Sequence, residues 1–197
     1  MDLVSRAKNI CLSPASEWRV IESEPATPGG LLIGYALPLA SIGAIASFLG
    51  AAIFASSFGM FAYARSMPVA LVGAVLGVVV TLASCYVLSL IVDALAPTFG
   101  GQKNPIQALK LVVYSYTPAW IAGILNIIPF LGILAVLAGL YGIYLLYLGI
   151  PVLMKSPDDK AVPYTLVVVV CAILVAIVFG MITAAIIGAA MLGSAVM

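Results

Sequence analysis

The sequence predicts an all-α protein: a polytopic membrane helix bundle of five transmembrane helices, preceded by an N-terminal amphipathic surface helix. Three observations carry that prediction. Hydrophobic residues make up 64% of the 197 positions and charged residues only 8%, against roughly 25% charged in a typical soluble domain. The apolar residues gather into five stretches, each long enough to supply the ~20 helical residues that cross a bilayer. The basic residues collect on one side of the layout that those stretches define.

Composition also removes several function classes. A net charge of +1, with no basic run and no zinc-finger spacing, gives no case for nucleic-acid binding. The three cysteines, Cys11, Cys85 and Cys171, are far apart and form no Cys-x-x-Cys. They support neither a disulfide framework nor a structural zinc site. Histidine is absent, which excludes Ser-His triads and His-rich metal sites. No cofactor and no metal are expected.

Residues 1–30 read as a retained cytoplasmic segment. Arg6, Lys8, Glu17, Arg19, Glu22 and Glu24 leave no continuous apolar core for a secretory signal. Leu3, Val4, Ala7, Ile10 and Cys11 share one helical face, with Asp2, Arg6 and Asn9 opposite. Ser13-Pro14 reads as an N-cap followed by proline at the first helical position, and Trp18 and Ile21 share a face three residues apart. One or two short helices lying on the cytoplasmic leaflet fit this pattern, with Leu3, Val4, Arg6, Ala7, Ile10 and Trp18 as the membrane-surface residues. A solvated tail is the alternative. Pro25 and Pro28-Gly29-Gly30 end the segment.

The transmembrane domain, residues 31–197, follows in order. The first span is placed at about 31–55, with Pro38 inside it, and a turn is expected over 56–68. The second runs to about 95 from 69, and Pro97 to Pro105 form a polar loop. The third covers about 108–127, Ile128-Pro129 breaks the chain, and the fourth covers about 130–153. Lys155 to Lys160 make the next loop, and the fifth span runs over about 162–190, longer than a bilayer requires. With the N-terminus inside, Arg6, Lys8, Arg19, Lys103, Lys110, Lys155 and Lys160 are inner and only Arg65 is outer, as the positive-inside rule demands. Merging spans three and four would carry Lys155 and Lys160 outside, so the break at Pro129 is needed. Gly73 with Gly77, and Gly180, Ala184 and Gly188, place small residues where helices can approach closely, and a homodimer is one use of such faces.

Asp93 is the one acidic residue inside a span, and no basic residue is placed within one, Lys110 counting with the inner edge. Intramembrane ionisable groups are costly and therefore candidates for function. The topology brings the ends of spans two and four and the start of span three to one leaflet. A polar pocket of Asp93, Lys110, Tyr114, Tyr116, Tyr144 and Tyr147, with Tyr141 on the same side of its helix, is expected there. The alternative is an interfacial tyrosine belt with a structural Asp93. Pro38, Pro118 and Pro129 are expected to break or kink helices, with Ser115 and Thr117 hydroxyls available for freed carbonyls and Asn126 capping the tight turn. No phosphate loop, nucleophile elbow or paired intramembrane carboxylate is present, so no enzyme is expected. Cys11, on the amphipathic segment, reads as a structural thiol, with acylation the alternative.

Leu12-Ser13-Pro14 with Glu17-Trp18, the Glu24-Pro25-Ala26-Thr27 approach to span one, Tyr114-Ser115-Tyr116-Thr117-Pro118, and the Ile128-Pro129 hairpin before a tyrosine-rich fourth span occur together. With these, the chain resembles the bacterial branch of the Yip domain family, named for Ypt/Rab-interacting membrane proteins. The resemblance covers nearly the whole chain and implies a five-helix bundle with a cytoplasmic N-terminus. Eukaryotic members are associated with Rab-type GTPases, vesicle traffic and membrane shaping, and Tyr114 with Pro118 fits their Tyr-x-x-x-Pro. Their Asp-Leu-Tyr-Gly-Pro motif is absent here, and about thirty residues stand in place of their long N-terminal domain. The resemblance therefore speaks to fold and location rather than to Rab binding.

The expected function is a non-enzymatic protein of the bacterial inner membrane that organises the bilayer or recruits membrane or cytoplasmic proteins. Its N-terminus is expected in the cytoplasm and its C-terminus on the opposite side. The rival is a small transporter or channel working around Asp93.

Overall fold

The computed structural model describes residues 2–54 and 67–196. Among these residues every regular element is helical. Two short helices, α1 (Leu3–Leu12) and α2 (Pro14–Ser23), form a hairpin. Pro14 opens α2 as expected, but the Ser13 side chain makes no capping bond. A wide π turn over Gly30–Ala36 leads into α3 (Leu37–Phe54). Pro38 explains it: proline has no N–H, and its ring collides with the carbonyl four residues back, so the turn before it opens. The expected turn over 56–68 and Arg65 lie outside the described residues, apart from Met67 and Pro68, which open α4 (Met67–Leu95).

A 3-10 turn over Ala96–Phe99 ends at Gly100, whose φ of 71° suits a residue without Cβ. Helix α5 (Pro105–Ser115) starts with Pro105 at its first turn and with the Asn104 side chain accepting from the Gln107 N–H. The third span then breaks at Tyr116 and resumes as α6 (Thr117–Ala122), with Pro118 in its first turn. Two 3-10 turns, Gly123–Ile127 and Pro129–Gly132, flank Ile128, which is extended. Residues before proline avoid the α region, so the break expected at Pro129 is present. The turn is closed by backbone bonds from Ile128 N–H to Leu125 and from Leu131 N–H to Ile128. Finally α7 (Ile133–Met154) and the long α8 (Asp158–Val196) complete the bundle, with Asp158 and Asp159 in the first turn of α8, where the helix dipole favours them.

Five helical segments are long and apolar enough to cross a membrane: Gly30–Gly50, Leu71–Phe99, Pro105–Ile127, Val136–Met154 and Asp158–Ala189. They are the five expected spans in the expected order. The third is the most enclosed and the fifth the least. Helices α5 and α6 therefore form the axis of the bundle, packed on α4 and α7, while α8 lies outermost against α4 and α7. Leu111, Val113, Leu145, Ile150, Met154 and Val168 are among the fully covered core residues.

Several helix contacts are backbone-close. A Cβ added at Gly123 would come within 2.8 Å of the Gly43 Cα, and one at Gly142 within 2.7 Å of the Ser115 carbonyl oxygen. Nothing lies within 4 Å of one added at Gly180. Helix propensity alone favours alanine over glycine. Gly142→Ala and Gly123→Ala should nevertheless destabilise the protein, by about 1–3 kcal/mol, the usual cost of overpacking. Gly180→Ala should be neutral or mildly stabilising. Thermal unfolding in detergent, followed by circular dichroism, checks this; equal midpoints for all three would refute the packing.

Candidate functional site

Lys110 lies one and a half turns inside α5, within the third span, and is buried. An isolated ammonium group away from water is costly, and the chain answers with the end of α2. The Lys110 ammonium donates to the Ile21 carbonyl at 2.7 Å and to the Glu24 carbonyl at 2.6 Å. These oxygens belong to the C-terminal end of a helix, where the dipole is negative and intrahelical donors have run out. One turn earlier, the Gln107 side-chain amide donates to the Glu22 carbonyl at 3.0 Å. The Lys155 ammonium, beyond the end of α7, bonds the Glu22 carboxylate.

The second cluster closes the hairpin itself. Arg6, only 3% exposed, donates to the Glu17 carboxylate at 2.5 Å and to that of Glu24, and lies over the Tyr114 ring at 5.8 Å. The bond from Arg6 holds the Glu24 carboxyl below the usual carboxylate range. Burial works against the Arg6 charge, but the bond to Glu24 and the nearby Glu17 and Glu24 carboxylates outweigh it and raise its pKa. Periodicity placed Arg6 on the polar side of α1, and the structure turns it into the bundle. Val4 is 67% exposed, whereas Arg6 turns inward because α1 packs on both α2 and α6. Ala7 and Ile10 are buried as expected, and Leu3 packs against the core. Trp18 is 0% exposed, seated over Gly149 and edge-on to Tyr114. The apolar faces of α1 and α2 are thus spent on the bundle.

The polar pocket foreseen around Asp93 does not assemble. Lys110 and Tyr114 join the N-terminal cluster instead. Tyr116 stacks on Trp120, and Tyr144 and Tyr147 are exposed on α7. Asp93 lies within electrostatic range of Tyr164, whose hydroxyl donates to the Val92 carbonyl, and one Asp93 carboxylate oxygen is buried without a hydrogen bond. The expectation failed because the end of α2 claims the Lys110 ammonium through the Ile21 and Glu24 carbonyls. Thr117 shares a hydrogen bond with Tyr35 at 3.0 Å, and the Ser115 hydroxyl has no partner, so neither serves a carbonyl freed by Pro118. Cys11 is half-buried, which pushes its thiol up, and its carbonyl accepts from the Tyr141 hydroxyl at 2.7 Å.

Two hollows adjoin these elements. A small one, about 370 Å³, lies beside Tyr114 and the Pro25–Leu31 approach to the first span. A larger groove of about 730 Å³ opens between α3, α4, α6 and α8, floored by Gly43, Gly73 and Gly77 and edged by Asn126, Ala184 and Gly188. Asn126, expected as a cap, faces this groove. Among the described residues no group of three His, Cys, Asp or Glu is placed to hold a metal ion.

Residues that sequence reasoning missed include Glu17 and Glu24 as the partners of Arg6, and Gln107. A partial signal existed: residues 2–24 hold four carboxylates, two arginines and a lysine, about half the charged residues of the chain. Removing Arg6 should strand a buried Glu17 charge at a cost of about 3–5 kcal/mol. In Arg6→Ala, trypsin should cut after Lys8 and Arg19 many times faster than in the wild type. Arg6→Met with Glu17→Leu should restore much of the resistance. The Glu24 contribution has a definite sign. Its folded pKa is depressed, so its stabilisation is present above the free value of 4.5 and is lost as pH falls through the lower folded value. With its side chain 39% exposed, solvent makes that share small. Protease resistance should therefore hold steady from neutral pH to about 5 and decline only below the ordinary carboxylate range; a decline at neutral pH would contradict the assignment.

Comparison with known proteins adds one finding. A family model described as the Yip1 domain matches residues 8–181. No curated protein and no solved structure matches the chain. The match takes in most of the N-terminal hairpin and all five apolar helices, and the chain belongs to the Yip1 domain family of membrane proteins.

Proposed function

We propose that this Yip-domain protein is a non-enzymatic organiser of the bacterial inner membrane, which acts on the bilayer or recruits protein partners through its N-terminal hairpin and the loops beside it. One observation carries the reading: the polar chemistry of the chain is spent on holding the hairpin. Arg6, Glu17, Glu24, Lys110, Gln107 and Lys155 all serve its closure or its attachment. A transport site would need such groups gathered along a path through the bundle.

Orientation follows from charge. The Glu22–Lys155 pair and the bond from the Gln102 N–H to the Met154 carbonyl put the hairpin and the loops at 96–104 and 155–157 at one end of the bundle. Those segments, with α5 and the first turn of α8, hold seven of the eight basic residues. The positive-inside rule then favours a cytoplasmic N-terminus, and five crossings set the C-terminus opposite. Lipid is the first partner, with membrane or cytoplasmic proteins as further ones.

A second reading, transport around Asp93, rests on the unbonded buried oxygen of that carboxylate. Reconstituted vesicles separate the two. Wild-type protein should change vesicle size or shape, seen by electron cryomicroscopy. A chain lacking residues 2–23 and carrying Lys110→Leu, which removes the stranded charge, should lose that effect. Flux of protons and of mono- and divalent cations should be the same for wild type and Asp93→Asn. Flux abolished by Asp93→Asn would overturn the proposal in favour of transport.

A further inference from the structure

The hairpin stands beside α7 in a fixed register. Lys155 pairs with Glu22, Trp18 sits on Gly149, and Tyr141 bonds the Cys11 carbonyl. The sequence separations of the outer two pairs, 133 and 130, are nearly equal. The chain from Cys11 to Glu22 therefore runs in the same direction as α7, alongside it. At 1.5 Å per residue, the hairpin tip lies about 20 Å along α7 from the Lys155 end.

That height has a meaning on the surface of α7. From Val136 to Leu140 its exposed side chains are aliphatic, and at Tyr144 and Tyr147 they become phenols. Tyrosines concentrate where a bilayer meets water, ring in the acyl boundary and hydroxyl at the headgroups. The tip, level with Tyr141, has reached the apolar side of that belt. There Leu12 is 70% exposed. Along the same edge of α1, Val4, Lys8 and Leu12 follow at i, i+4 and i+8 and are all exposed.

The charges left over point the same way. Ion pairs occupy Arg6, Glu17, Glu22 and Glu24, and among the described residues none includes Lys8 or Arg19, which are both exposed. The hairpin turns Lys8 and Arg19 outward, against the one unpaired carboxylate among its described residues, that of Asp2. They stand beside a tip where Leu12, next to the exposed Ser13 and Ser16, is level with the aliphatic face of α7. That pairing suits a phospholipid leaflet: alkyl chain for Leu12, anionic headgroup for the cations.

Resting on the membrane-organising reading, we propose that the α1–α2 hairpin is a built-in wedge in one leaflet, with Leu12 among the acyl chains and Lys8 and Arg19 collecting anionic phospholipid. Its rigid attachment separates it from a peripheral helix. The ordering cost of insertion is met when the bundle folds, and lipid binding cannot pull the hairpin off the bundle without stranding Lys110.

The test uses the full chain with its native cysteines replaced and one fluorophore on Leu12→Cys. It is reconstituted in phosphatidylcholine vesicles with and without phosphatidylglycerol. Trypsin resistance confirms that the hairpin is docked in the chains that keep Lys8 and Arg19, and resistance to a glutamate-specific protease confirms it in the charge-reversed chain. Lipids brominated on the acyl chain should quench the Leu12 label strongly and aqueous iodide weakly, and a label at Lys103→Cys should show the reverse. Brominated phosphatidylglycerol should quench several-fold better than brominated phosphatidylcholine, and Lys8→Glu with Arg19→Glu should abolish that preference. Iodide quenching of Leu12 at the Lys103 level would overturn the wedge. Shielding from both quenchers, the mark of a protein covering this edge, would overturn it too, as would equal quenching by the two lipids in the wild type. Lipid quenching without any change in vesicle shape would sustain the wedge and defeat the functional reading on which it builds.

Discussion

A lysine ammonium held within a membrane-spanning helix needs oxygen atoms, and Lys110 obtains them from the carbonyls of Ile21 and Glu24. Much else in the structure follows from that need. The carbonyls are available because α2 ends there, and a helix end offers unpaired acceptors with a favourable dipole. Docking α2 at that point brings Trp18 over Gly149, where the absence of a side chain leaves room for the indole ring. With α2 fixed, Glu17 is covered and requires a cation, which α1 supplies as Arg6. Each buried charge thus calls for the next element, and the sequence of demands ends at the surface, where Glu22 and Lys155 pair in partial contact with water.

The direction of the energetics matters. Surface pairs such as Glu22–Lys155 contribute little. Buried ones such as Arg6–Glu17 do not make a fold more stable than a well-packed apolar pair would, but losing one partner is severe. The network therefore acts through its penalties. Detaching the hairpin from the bundle leaves Lys110 without its carbonyls, and opening the hairpin leaves Glu17 without its guanidinium. Apolar packing of Ile10, Trp18 and Ile21 gives the hairpin a reason to adhere, but such contacts tolerate sliding. The directed bonds at Cys11, Ile21, Glu22 and Glu24 select one register along α7 and α5.

Much of this fold was readable from the sequence, because a bilayer imposes a severe composition. Spans stand out by length and apolarity, and Pro38, Pro118 and Pro129 disturb helical structure where they occur, for local reasons. The hairpin site was legible only in part. A single helical period assumes one buried face, yet α1 is enclosed by α2 on one side and α6 on another, so Arg6 is buried although it lies opposite the apolar face. Asp93 drew attention as a charge in a span, while Lys110, counted as a boundary residue, was the better guide. Its partners are backbone carbonyls some 86 and 89 residues away, and carbonyls carry no sequence signature. The tyrosines divided similarly: Tyr144 and Tyr147 are exposed on α7, whereas Tyr114 and Tyr141 serve the hairpin.

A leaflet responds to what is inserted in it according to how firmly the insert is held. A free amphipathic helix equilibrates between water and membrane, so any strain that it imposes is relieved by its leaving. An element tied to a transmembrane bundle by a buried lysine seated on its carbonyls has no such escape, and its leaflet must deform around it or recruit lipids that fit. The same buried charges that make α1 and α2 poor candidates for a mobile surface helix make them good candidates for a permanent one. This distinction gives the short N-terminal segment a physical role without any catalytic group, and it assigns the cost of that role to folding rather than to each encounter with lipid.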